Sequence, residues 1–149
     1  METNSISLHR VINASPEKIY RAFTDPIAMA SWIPPYGFLC VVHSMEARQG
    51  GNYRMSFINF STGNGNSFSG TYLELELNEF IKYTDEFEDP NLPGKMVTSV
   101  WLKKVSCGTE LKITQEGIPS VIPTEMCYLG WQDSLEKLKK LVEPEIPDA

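Results

Sequence analysis

The stretch PTEMCYLGWQDSLEKLKKLV, Pro123 to Val142, decides the fold. Placed at 100° per residue, Thr124, Cys127, Tyr128, Trp131, Leu135, Leu138 and Val142 fall on one stripe, with Leu141 at its edge. Glu125, Gln132, Asp133, Glu136, Lys139 and Lys140 fall elsewhere. A stripe this wide, centred on a tryptophan, requires an apolar partner surface. The chain before it reads as a run of β-strands, and these are the only partner large enough. A long helix laid across a curved sheet leaves room beneath it, and that room is where a function is expected.

Working back from the helix, the strands come in pairs. Thr109 to Glu116 and Met96 to Val105 are joined by Ser106-Cys107-Gly108. Phe80 to Glu88 is connected tightly through Asn78-Glu79 to Phe68 to Leu77. The turn-rich Ser61–Asn66 separates that strand from the one carrying Tyr53, Met55 and Phe57, and Gly50-Gly51 turns back to Phe38–Ala47. At the front, Ser5 to Ile12 alternates with Ile6, Leu8 and Ile12 on one face. Ser15-Pro16-Glu17 and Asp25-Pro26 each carry a cap followed by a proline, which predicts two short helices before Pro34-Pro35 stops the second. The order is one strand, two short helices, six strands and a long helix. Hairpin-length connections imply antiparallel neighbours, so this is an α+β protein with a seven-stranded antiparallel sheet covered on one face by the final helix.

The length of 149 residues predicts one domain spanning 1–149, with residues 143–149 a loose tail. Charged residues make up 21% of the chain and the net charge is −6, with no basic cluster, which disfavours nucleic acid and anionic membrane as partners. No apolar run approaches the ~18 residues of a membrane span, and the opening METNSISLHR has no signal core. Three scattered cysteines, Cys40, Cys107 and Cys127, argue against a disulfide framework. A cytoplasmic protein is expected.

Several of these segments together resemble a known superfamily. The opening Arg10 to Pro26 with Trp32, then Gly50-Gly51-Asn52-Tyr53, Gly70-Thr71-Tyr72-Leu73-Glu74, Tyr83-Thr84 with Phe87, and the closing Gly130-Trp131-Gln132-Asp133-Ser134-Leu135-Glu136-Lys137-Leu138 are similar to the SRPBCC, or START-like (Bet v 1-like), superfamily. The branch they resemble is the one named for the activator of the heat-shock protein 90 ATPase. That resemblance implies the helix-grip fold, with a curved sheet and a cavity between it and the long helix suited to a small apolar or amphipathic ligand. Members of the superfamily include lipid carriers, hormone receptors, polyketide cyclases and co-chaperone domains, so the fold alone leaves the function open.

Side-chain parity nominates the cavity wall. The row Ile81, Tyr83, Asp85 and Phe87 faces inward, as do Thr109, Leu111, Ile113 and Gln115, and Tyr53, Met55 and Phe57. Two strands are ambiguous. In one, Phe68, Gly70, Tyr72 and Glu74 oppose Leu73, Leu75 and Leu77. In the other, Val97, Ser99 and Trp101 oppose Val100 and Leu102. The candidate cavity residues are Tyr53, Met55, Phe57, Tyr72, Tyr83, Asp85, Phe87, Trp101, Cys127, Tyr128, Trp131 and Leu135. The bland alternative for each is plain core filling.

Asp85 breaks an apolar row, and a carboxylate there must be paired, hydrogen-bonded or protonated. It and Glu74 are the candidate carboxylates for acid–base work, with Tyr83 as a further candidate acid or base inside the cavity, and no catalytic residue is assigned outright. Metal chemistry has little support. His9 and His43 are the only histidines, Cys40 and His43 point to opposite faces of a strand, and neither CxxC nor HExxH occurs. No histidine lies beside a serine or cysteine motif, as a nucleophile would require. The glycine pairs lack the strand-to-helix setting of a phosphate loop. No metal or cofactor is expected. The leading expectation is a non-enzymatic domain holding a small hydrophobic or amphipathic molecule. The alternatives are a chaperone partner and a cyclase-like or lyase-like enzyme using cavity carboxylates.

Overall fold

The computed structural model describes residues 3–148. Met1 and Glu2 of the opening stretch, and Ala149 of the expected tail, lie outside the described residues. Strand β1 (Thr3–Ile12) leads into helices α1 (Pro16–Thr24) and α2 (Pro26–Trp32). Strands β2 (Phe38–Met45), β3 (Asn52–Asn59), β4 (Gly65–Glu76), β5 (Phe80–Phe87), β6 (Met96–Val105) and β7 (Gly108–Pro119) follow, and helix α3 (Thr124–Val142) ends the fold. The strands form one antiparallel sheet in the order β1-β7-β6-β5-β4-β3-β2. β1 and β2 therefore sit on opposite edges, and α1 and α2 carry the chain from one edge to the other. This is the helix-grip arrangement.

The short helices start where their caps require. Ser15 Oγ accepts from the Lys18 amide at 3.2 Å, and Asp25 Oδ1 accepts from the Ile27 and Ala28 amides at 2.8 and 3.1 Å. Each helix opens on a proline, whose missing N–H would have had no helical partner there. The two are locked together by Trp32, fully buried, whose indole N–H donates to the Ala22 carbonyl at 2.8 Å. Its ring meets Phe23 edge-on at 4.7 Å.

The far half of the sheet is solid. Ile6, Leu8 and Ile12 of β1, Leu111 and Ile113 of β7, and Val100 and Leu102 of β6 share one buried cluster with Leu135, Leu138 and Val142 of α3. α3 runs along β1 and against α1 and α2. Its C-terminal half is the clasp. At about 1.5–3 kcal/mol per fully buried large apolar side chain, these residues are the main anchor of the helix.

Two strands depart from the sequence expectation. In β6 the buried row is Met96, Thr98, Val100 and Leu102. Because side chains alternate, Trp101 is turned to the outer face, 42% exposed, with its ring 5.5 Å from Phe80. It is not a cavity residue. In β4 the row Phe68 and Tyr72 faces inward, but the pairing with β5 shifts between Tyr72 and Glu74. This bulge leaves Leu73 and Glu74 both exposed. Glu74 is therefore removed from the interior and from any cavity chemistry.

Candidate functional site

The near half of the sheet is not covered in the same way. Between β3–β5 and the N-terminal half of α3 lies a half-open cavity of about 260 Å³. The helix supplies Cys127, Gly130, Trp131 and Ser134, which are the i, i+3, i+4 and i+7 positions of one face. The sheet supplies Tyr53, Met55 and Phe57 from β3, Phe68 and Tyr72 from β4, and Tyr83, Asp85 and Phe87 from β5. Phe23, Met29, Ile33 and Pro35, from α1, α2 and the segment after them, close one side.

Small residues on α3 make this space. A Cβ built on Gly130 meets nothing within 4 Å. Ser134 is buried, and its hydroxyl lies 2.6 Å from the Ile33 carbonyl and 3.0 Å from that of Gly130. Lys137 Nζ donates to the Pro34 carbonyl at 2.9 Å. These bonds fix α3 to the end of α2, so the helix is held in place without a large side chain at position 130. Gly130→Ala is expected to raise stability by about 0.5–1 kcal/mol, because alanine loses less backbone entropy in a helix and has room here. A urea titration against the parent checks this; a loss would mean the open space is not there.

The sheet wall is aromatic and centred on Tyr53. Its ring lies 5.7 Å from Tyr72, 5.8 Å from Tyr83 and 6.4 Å from Phe68. Its hydroxyl donates to the Thr84 carbonyl at 2.8 Å and lies 3.2 Å from Asp85 Oδ1. Gly70 makes that reach possible: a Cβ there would strike the Thr84 carbonyl and the Tyr53 ring. Gly70→Ala should therefore cost about 1–3 kcal/mol by overpacking, read as a lowered melting temperature. An unchanged melting temperature would contradict the packing described.

Asp85 is the single ionisable carboxyl in this wall. Burial raises its pKa from 3.8 to about 7, opposed by hydrogen bonds from Tyr53 and the Glu86 amide. The Tyr53 hydroxyl has one proton, and the Thr84 carbonyl holds it at the shorter distance. The longer contact to Asp85 Oδ1 is therefore the weaker of the two that hydroxyl makes, and it does not offset the burial that raises the carboxyl's value. Burial likewise holds the phenols up, with Asp85 adding to the effect at Tyr53 and Tyr83 and Tyr20 adding to it at Tyr72, which is pushed up to about 12. Cys127 is raised by burial as well. Across the cavity, the Trp131 indole N–H donates to Gln115 Oε1 at 3.2 Å.

The structure thus brings together Tyr53, Met55, Phe57, Tyr72, Tyr83, Asp85, Phe87, Cys127 and Trp131. Leu135 instead lies in the solid core, and Tyr128 is half-buried at its margin, outside the cavity wall. Gln115, inward-facing by parity, joins the cavity wall, whereas Gly130, Ser134 and the α1–α2 side of the wall are not among the candidates. On the outer face, His43 Nε2 lies 2.7 Å from Ser56 Oγ, a neighbour the sequence did not suggest. Ser56 is buried and also 2.7 Å from Ser67 Oγ, so the group reads as a cross-strand hydrogen-bond chain rather than an exposed nucleophile.

Comparison with known proteins places this geometry. No curated protein matches the sequence. Among solved structures, the chain is similar to a protein from Chromobacterium violaceum, at 55% identity over 95% of this chain and 99% of that one, with a TM-score of 0.94. A Rhodobacter sphaeroides protein shares the fold at 16% identity, covering 94% and 97% of the two chains, TM-score 0.82. An AHSA1-like protein from Aeromonas hydrophila does so at 20% identity, covering 94% and 92%, TM-score 0.76. The family model described as "Activator of Hsp90 ATPase homolog 1-like protein" matches residues 13–143. The chain belongs to that family, the AHSA1-like branch of the SRPBCC superfamily.

Proposed function

We propose that this protein binds a small apolar or amphipathic molecule in the cavity between β3–β5 and α3, without chemically altering it. The observation that carries this is the cavity itself: about 260 Å³, half-open, walled by aromatic rings and methionines with few polar groups. Ligand pockets have that composition, and their volumes begin near 300 Å³. Since an apolar cavity of about 150 Å³ accepts benzene, this one suits a molecule of about ten non-hydrogen atoms. Among the described residues no helix is long and apolar enough to cross a membrane, and the cysteines are free thiols, in keeping with a role in a reducing compartment such as the cytoplasm. A surface contact with a chaperone is a separate role on which the cavity reading does not depend.

The test is a titration with 3-phenyl-1-propanol, an uncharged probe of that size, followed by calorimetry and melting temperature. The native protein should bind and melt higher as the probe is added. Gly130→Leu, which places an alkyl group in the open space, should remain folded and lose the response. An equal response in Gly130→Leu, or none in the native protein, would contradict the proposal.

A further inference from the structure

Resting on that reading of the cavity, we infer that its occupant is an organic cation, an amine or quaternary ammonium carried on an apolar body of about ten non-hydrogen atoms. Among the described residues the cavity wall holds one carboxyl group, Asp85, and no lysine, arginine or histidine. The ion pairs of the described residues involve His9 with Glu110, Arg48 with Glu46 and Arg54 with Glu88, and none reaches Asp85. Asp85 is half-buried, and a carboxylate drawn part-way out of water without a counter-ion is costly, whereas an apolar residue would continue the row of Ile81, Tyr83 and Phe87 at no such cost. A ligand can supply the missing charge.

The surroundings select the sign and the type of that charge. Tyr53, whose hydroxyl touches Asp85, is packed among Tyr72, Tyr83 and Phe68. Aromatic faces attract ammonium groups and repel anions. An anionic ligand would meet an unpaired carboxyl and no donor of positive charge, and a neutral ligand would leave Asp85 uncompensated. The net charge of −6 on the chain adds a long-range attraction for cations. The raised pKa of Asp85 agrees with this placement, since it marks a carboxyl that has no counter-charge until one is brought.

Three probes of matched size decide it: 3-phenylpropylamine, 3-phenyl-1-propanol and 3-phenylpropanoate, titrated calorimetrically at pH 8 into the native protein, Asp85→Asn and Gly130→Leu. The native protein should bind the amine at least about tenfold more tightly than the alcohol, with the carboxylate weakest. In Asp85→Asn the amine and the alcohol should bind within about threefold of each other, and in Gly130→Leu amine binding should be lost. If the alcohol binds as tightly as the amine, or the carboxylate more tightly than either, the cation inference fails and the cavity reading stands. An amine preference that persists in Asp85→Asn, or amine binding that persists in Gly130→Leu, also overturns the inference. If none of the three binds the native protein, both readings fall.

Discussion

Asp85→Asn will make the protein more stable at pH 8 and leave it unchanged near pH 4. The folded carboxyl titrates near 7 instead of 3.8 because burial penalises its charge. A carboxyl whose pKa is raised on folding binds its proton more tightly in the native state. Its stability contribution is therefore complete below about pH 4, is lost as pH rises through 7, and stays lost above that. At 1.36 kcal/mol per unit the full loss is roughly 4 kcal/mol, and water reaching Asp85 through the cavity mouth reduces it toward about 2. Asparagine has the same shape, carries no charge, and can still accept from Tyr53. Urea unfolding of both proteins at pH 4, 6 and 8 should show the difference opening with pH to about 2–4 kcal/mol. A variant less stable than the parent at every pH would mean that Asp85 has a cationic partner when folded.

Trp131→Ala should have the largest cost of any change in the cavity wall. The ring is 8% exposed and its N–H is satisfied by Gln115. Deleting it removes a buried indole that bridges α3 and β7 and leaves a buried amide oxygen unpaired. The expected loss is about 3–5 kcal/mol, measured by chemical denaturation. Trp131→Phe keeps most of the volume but still orphans Gln115, and should cost about 1–3 kcal/mol. A loss below about 1 kcal/mol for the alanine variant would show that the indole is not packed as described.

The contrast between these residues and others explains what the sequence could reveal. α3 was legible because one stripe carries Trp131, Leu135, Leu138 and Val142, and the short helices because Ser15 and Asp25 precede prolines. Asp85 was legible because the strand from Ile81 to Phe87 alternates cleanly, so its parity had one reading. β6 had no such reading: Val97 and Trp101 on one face balance Val100 and Leu102 on the other, and only packing against α1 and the common core chose between them. Glu74 was misplaced because a β-bulge changes parity without leaving a mark in polarity. Leu135 and Tyr128 were assigned to the cavity because the stripe does not say where along α3 the helix closes onto the sheet. Gly130 and Ser134 are silent in the sequence for a simpler reason: what they contribute to the cavity is the lack of an apolar side chain.

The central claim is that the space under the first half of α3 admits a guest. Methionine methyl NMR tests it most directly, because Met29, Met55 and Met96 line the cavity, whereas Met126 is exposed and Met45 lies outside it. Titration with 3-phenyl-1-propanol should shift the methyl signals of Met29, Met55 and Met96 and give contacts from the phenyl protons to them, leaving Met45 and Met126 in place. Signals that do not move at saturating probe, or shifts confined to Met126, would contradict the account.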